Sequence, residues 1–149
     1  MRVAHIVNEL WLGGIQETVY ALCAAMTNVE HLVLSHTDGP MRATFWALPN
    51  VRLFQIAKDH QSLDRLVLEH RVDVVHKQCG GGDESRFLWP LRRPDRLCAV
   101  VESMHCPRRC KTPADVVDVV LCASHYTMSH NTDSHLDPAI FHVIPYGVV

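Results

Sequence analysis

"NELWLGGIQETVYALCAAM", Asn8 to Met26, is the stretch on which the fold turns. Two adjacent glycines, Gly13 and Gly14, stand between a short apolar run and a segment with helical periodicity. Ile15, Val19, Leu22, Cys23 and Met26 recur at the spacing that forms one apolar stripe on a helix. Upstream, "RVAHIVN" (Arg2 to Asn8) is β-rich and apolar, the composition of a buried strand. The passage is therefore a strand handing over to a helix through a glycine pair. Two readings fit that pair: the turn itself needs it, or a ligand comes very close to the backbone there.

Outward from this unit the pattern repeats. "HLVLSH" (His31 to His36) predicts a second strand, and Asp38-Gly39-Pro40 is turn chemistry. "VRLFQI" (Val51 to Ile56) predicts a third strand, and Leu63, Leu66, Val67 and His70 mark a short helix. "VDVVHKQ" (Val72 to Gln78) predicts a fourth strand that runs into "CGGGDES". A brief helix is expected over Glu84 to Leu91, before Pro94. "LCAVVESMH" (Leu97 to His105), "DVVLCAS" (Asp118 to Ser124) and "FHVIPYGVV" (Phe141 to Val149) complete the strands.

Strands that are apolar throughout, rather than alternating, suit a parallel sheet covered on both faces. Their alternation with helices makes the expected class α/β, a Rossmann-like, doubly wound, mostly parallel sheet. Such sheets bind ligands at the carboxyl ends of their strands. Those ends carry the unusual residues here: "ELWLGG", "KQCGGGDES", "SMHCPRRC" and "SHYTMSHN", four polar loops on one edge.

At 149 residues the chain is expected to be one domain, spanning 1–149, with a core of its own. A formal net charge of -2 argues against a nucleic-acid binder held by phosphate neutralisation. Arginines still cluster locally at Arg92, Arg93 and Arg96 and at Arg108 and Arg109. No apolar run reaches the roughly 20 residues of a spanning helix, and the N-terminus enters a strand without an apolar leader. Residence in the cytoplasm is the expectation, with the six cysteines reduced. Cys23, Cys98 and Cys122 fall in apolar runs and are expected to be small core residues.

The order of the motifs resembles the N-terminal half of the retaining, GT-B-fold glycosyltransferases of family 4. The carriers are Gly13-Gly14-Ile15-Gln16 after the first strand, Asp73-Val74-Val75-His76, and "VVESMH" ending at His105. They continue with Asp118 to Ser124 and close on Val143-Ile144-Pro145-Tyr146-Gly147-Val148. Tyr146 replaces the asparagine usual at its position. The C-terminal half, which in the family grips the nucleotide, does not follow. The resemblance therefore implies an acceptor-side domain that is inactive alone and needs that C-terminal lobe as partner.

The resemblance also implies roles. Gly13, Gly14 and Ile15 would meet the diphosphate of a nucleoside diphosphate sugar, the donor substrate, at a helix N-terminus suited to anions. Glu17 in the first turn already complements the dipole and works against that binding. His105 would lie beside the transferred sugar, near the oxocarbenium-like charge of the transition state. A histidine that merely ends a strand by hydrogen bonding is the plainer alternative. Strand alternation aims Glu102 away from Ser103 and His105, and His76 is expected to be packed rather than catalytic. Gln16, Gln78, Arg108, Arg109 and Ser124 lie on the loops expected to meet a sugar or lipid-linked acceptor, and the arginine pair suits an anionic one. No cofactor and no metal is implied for this half, and peripheral membrane contact is left open for the full enzyme.

A different class of reading stays open beside it. His105, Cys106, Cys110 and Cys79 are potential zinc ligands in a non-catalytic α/β binding module, although the spacing is looser than a CxxC pair. A Cys106–Cys110 disulfide is a further alternative.

Overall fold

The computed structural model describes residues 1–57, 59–79, 98–107, 109–131 and 135–145. Seven strands form one sheet: β1 (Arg2–Ile6), β2 (Glu30–Ser35), β3 (Val51–Gln55), β4 (Val74–Cys79), β5 (Ala99–Met104), β6 (Val119–Cys122) and β7 (Phe141–Val143). The spatial order is β3-β2-β1-β4-β5-β6-β7, and every pairing is parallel. The chain winds outward from β1 to β3, then returns to the centre and winds the other way from β4. This is the expected Rossmann-like α/β fold. Its strand order reverses between β1 and β4, where such sheets open a crevice at the carboxyl edge.

Four α-helices are described: α1 (Gly14–Ala25), α2 (Met41–Trp46), α3 (His60–Glu69) and α4 (His125–Ser129). The sheet is buried on both faces, as the unbroken apolar strands require. On one face Val7 and Val33 pack with Val19 and Cys23 of α1 and Met41 and Phe45 of α2. On the other, Ala4, Ile6, Leu32, Leu34 and Val75 pack against Leu63, Leu66 and Val67 of α3. Cys98 and Cys122 are buried as expected.

Several expectations need correction. Val19 and Cys23 of the expected α1 stripe are buried, but Gln16 also faces inward, and Met26 forms the C-cap and is 37% exposed. Helix α2 follows the Asp38-Gly39-Pro40 turn, and the sequence pattern does not predict it. Six residues with two inward side chains, Met41 and Phe45, are too short to show a period. The "SHYTMSHN" loop contains α4, started by Ser124, whose Oγ accepts from the Thr127 amide at 3.1 Å. The seventh strand is described only over Phe141–Val143. The helix expected at Glu84 to Leu91, the glycines of "CGGGDES", Arg108, and Tyr146 with Gly147 and Val148 lie outside the described residues.

Candidate functional site

The carboxyl ends of β1, β4, β5 and β6 are consecutive in the sheet, so the loops that follow them share one edge. At β1 the chain leaves the sheet, crosses Glu9 and turns into α1 at Gly13. Gly13 is the N-cap with extended backbone (φ -174°, ψ 164°), and no side chain caps the helix. Gln16 braces the turn from below. It is 8% exposed, and its amide nitrogen donates to the Glu9 carbonyl at 2.8 Å. A Cβ on Gly13 would come within 2.8 Å of Gln16 Oε1, so a side chain there would make the end of Gln16 shift.

Gly14 differs. A Cβ there would meet no atom within 4 Å, and its φ is not in the left-handed region. Nothing within the described fold requires glycine at this position. No side chain caps the first-turn amides of this helix, and such orphan N–H groups and the helix dipole favour an anion. Trp11 and Leu12, 56% and 72% exposed, flank the same turn. The loop after β2 holds the turn in place: His36 donates its amide to the Asn8 carbonyl at 3.1 Å, and Met41 to that of Leu10 at 3.0 Å. A side chain on Gly39 would run into the Leu10 carbonyl, so that glycine permits the two loops to touch.

Across β4 lies the second part. His76, Gln78, Ser103 and His105 share the α1 side of the sheet, and Glu102 faces the other side, as strand alternation predicts. His105 follows β5 directly, and its Nε2 is 2.7 Å from Gln78 Oε1. A carbonyl oxygen only accepts, so His105 Nε2 carries the proton. The other end of the Gln78 amide donates toward His76, with Nε2 3.2 Å and 3.1 Å from the two ring nitrogens. His76 Nε2 pairs with Ser103 Oγ at 2.7 Å. Gln78 is thus a buried bridge that sets the tautomer and orientation of His105. Burial holds the His105 pKa down at about 4, so the imidazole is neutral at ordinary pH. His76 is also pushed down to about 4, by burial and then by the neighbouring His105. Its place is structural, beneath the edge.

The remaining residues divide. Arg109 is exposed on the loop after β5. Ser124 caps α4 and helps line an open depression of about 600 Å³ with Ala123, His125, Met128, Phe141 and His142. It stands off the β1/β4 crevice, beyond β5. The zinc alternative loses its convergence: Cys110 is buried on the side opposite His105, where its Sγ donates to Glu102 Oε2 at 3.3 Å. Cys106 and Cys110 are both free thiols. Among the described residues, no group of three metal-capable side chains includes either.

Glu102 is the centre of a buried network that sequence reasoning missed. Lys77 Nζ lies 3.4 Å from Glu102 Oε1 and 3.2 Å from Thr112 Oγ1, and Thr112 donates to Glu102 Oε2. Cys110 is further tied through its amide to Asn131 Oδ1 at 2.6 Å. The network anchors the β5–β6 connection under the sheet edge. A charged residue inside each of two apolar strands, Lys77 and Glu102, was the available signal.

No protein-family model matches the sequence, and no curated protein does. Solved structures do resemble the fold. Anabaena Alr3699/HepE, in complex with UDP and glucose, superimposes with a TM-score of 0.74 at 12% identity, covering 99% of this chain and 45% of its own. A putative UDP-N-acetylglucosamine 2-epimerase from Listeria monocytogenes gives 0.61 at 11% identity, over 94% of this chain and 43% of its own. MurG of Acinetobacter baumannii gives 0.57 at 16% identity, over 81% and 40%. At these identities the likeness is one of fold, and this chain spans less than half the length of each. Among the described residues, no helix is long and apolar enough to cross a membrane.

Proposed function

We propose that this chain is the acceptor-side lobe of a cytoplasmic, retaining GT-B glycosyltransferase of family 4. It would work with a C-terminal nucleotide-binding lobe to move a sugar from a nucleoside diphosphate sugar to an acceptor hydroxyl. The observation that carries the reading is Gly14. Gly14 opens α1 with no left-handed backbone to require it, and no packing in the described fold uses its missing side chain. An approaching phosphate would use that space. Fold likeness to a protein in complex with UDP and glucose supports the same direction.

In this reading the amides of Gly14 and Ile15 cradle the donor diphosphate, and the dipole of the 12-residue α1 favours its charge. The neutral His105, oriented by Gln78, orders sugar hydroxyls at the anomeric centre without adding positive charge beside a developing cation. Exposed Arg109, with Arg108 next to it in sequence, suits an anionic acceptor. Exposed Trp11 and Leu12 would be covered when the two lobes close.

The test uses the complete two-lobe enzyme with UDP-glucose as first donor and NMR of the product's anomeric proton. Retention with a loss of kcat of about 10²-fold or more in His105→Ala, the scale of removing one preorganised polar group, is the expected result. Inversion would refute the retaining assignment. The 149-residue chain alone should show no turnover above its own His105→Ala control.

A further inference from the structure

On the α1 side of the sheet a second polar cluster adjoins the first, with the His5 ring 5.3 Å from that of His76. His5 of β1, His31 of β2 and Cys23 of α1 are 2%, 1% and 0% exposed. One ring nitrogen of each histidine and Cys23 Sγ all lie within 4.8 Å of one another. Val7, Val19 and Val33 pack in the same layer, so an aliphatic side chain would suit any of the three positions.

The hydrogen bonds define the protons. The Met26 carbonyl lies 3.3 Å from His31 Nε2 and can only accept, so that nitrogen carries a proton. The neutral ring then offers Nδ1 as a lone pair, which receives His5 Nε2–H at 2.9 Å. His5 Nδ1 is left as a bare lone pair with no partner, fully buried. An unmatched buried acceptor costs on the order of 1–3 kcal/mol, and this one belongs to a ring that shares the cluster with a thiol and a second imidazole.

We infer that His5, Cys23 and His31 form a buried site for a soft d10 metal ion, matched by charge to copper(I). Two imidazoles and one thiolate are donors that such ions favour. Binding replaces the Cys23 thiol proton, which passes to solvent. Cu⁺ with one thiolate is then net neutral in a dry core. Zn²⁺ would leave one uncompensated positive charge there, and structural zinc almost always takes four protein ligands. The ligands come from β1, β2 and α1, so the ion would pin the helix to the central strands. Complete burial gives it no contact with substrate, and the site is independent of the glycosyltransferase reading.

The experiment refolds the 149-residue chain anaerobically with one equivalent of Cu⁺ or of Zn²⁺, then removes loose metal with a competing chelator. Protein purified from copper-fed cells is read in parallel without refolding. One retained Cu⁺ per chain is expected, with an absorption-edge spectrum of two nitrogens and one sulfur. A Tm rise of about 5–10 °C is expected at a hundredfold excess over Kd. Cys23→Ala should lose both metal and Tm rise, and Cys106→Ser, at a half-buried thiol elsewhere, should keep them. No retained copper, equal retention by Cys23→Ala, an all-sulfur shell, or preference for zinc over copper would each overturn the proposal.

Discussion

Gly14 and Gly13 are chemically identical neighbours with different duties. Gly13 leaves room for Gln16 Oε1, so its replacement disturbs the turn from within. Gly14 faces open space, and its backbone is not left-handed. Gly14→Ala should therefore leave Tm unchanged or slightly raised, by up to the ~1 kcal/mol helix preference of alanine. Gly14→Val should also fold, at a modest β-branched cost. In the complete enzyme the valine variant should lose at least about tenfold in kcat/KM, equivalent to ~1.4 kcal/mol of donor binding. Thermal melts of this chain beside steady-state kinetics of the two-lobe enzyme check both quantities. Unchanged kinetics in Gly14→Val would remove the phosphate role.

Among the elements, α3 is the most completely specified. Asp59 caps its start, accepting from the Ser62 amide at 2.8 Å and the Ser62 hydroxyl at 2.9 Å. Its end is a Schellman turn, with Arg71 donating to Leu68 and Val72 to Val67. Arg71 occupies the left-handed position there (φ 47°), which glycine usually fills. Arg71→Gly should raise stability by about 1 kcal/mol, the cost of a side chain in that conformation; a denaturant melt with no gain would contradict this. The β5–β6 connection depends instead on Glu102. Its carboxylate accepts from Cys110 and Thr112 and faces Lys77, all in the interior. Glu102→Gln should cost about 3–5 kcal/mol by stranding the buried lysine charge. The double variant Lys77→Met/Glu102→Leu, which leaves no charge behind, should recover most of it. A double variant as unstable as the single one would show that the network acts through shape alone.

At the scale of the whole molecule, the sheet carries a layer of buried histidines that must stay neutral. Burial lowers His5 and His31 below the ordinary histidine value and brings His76 to about 4. The unfolded chain takes up these protons near pH 6.5, whereas the native state does so only lower down. Between those values the unfolded state binds more protons, so stability is complete above about pH 6.5 and falls with acidification toward pH 4. Each such histidine contributes a slope of up to about 1.4 kcal/mol per pH unit. Urea midpoints measured from pH 8 to pH 4 should be flat and then fall steeply, and His76→Gln should reduce the slope. A midpoint independent of pH in that window would mean the rings are hydrated in the folded state.

The sequence by itself determined the α/β class, the parallel sheet and the edge that carries the polar loops. Those features rest on local patterns: unbroken apolar strands, a glycine pair at a strand-to-helix junction, and polar loops repeated at the same end of successive strands. Periodicity could not reveal α2 or α4, because helices of 6 and 5 residues present too few turns. The sequence also suggested that Gln16 belonged to the ligand loop and that His105 and Cys110 could converge. Tertiary structure alone turned Gln16 inward as a brace and placed Cys110 beneath the sheet with Glu102. It likewise joined Gln78 to His105 across β4 and β5, and brought His5, Cys23 and His31 together from three separate elements. The physical reason is strand pairing: register decides which residues of different strands become neighbours, and no pattern within a single segment encodes it.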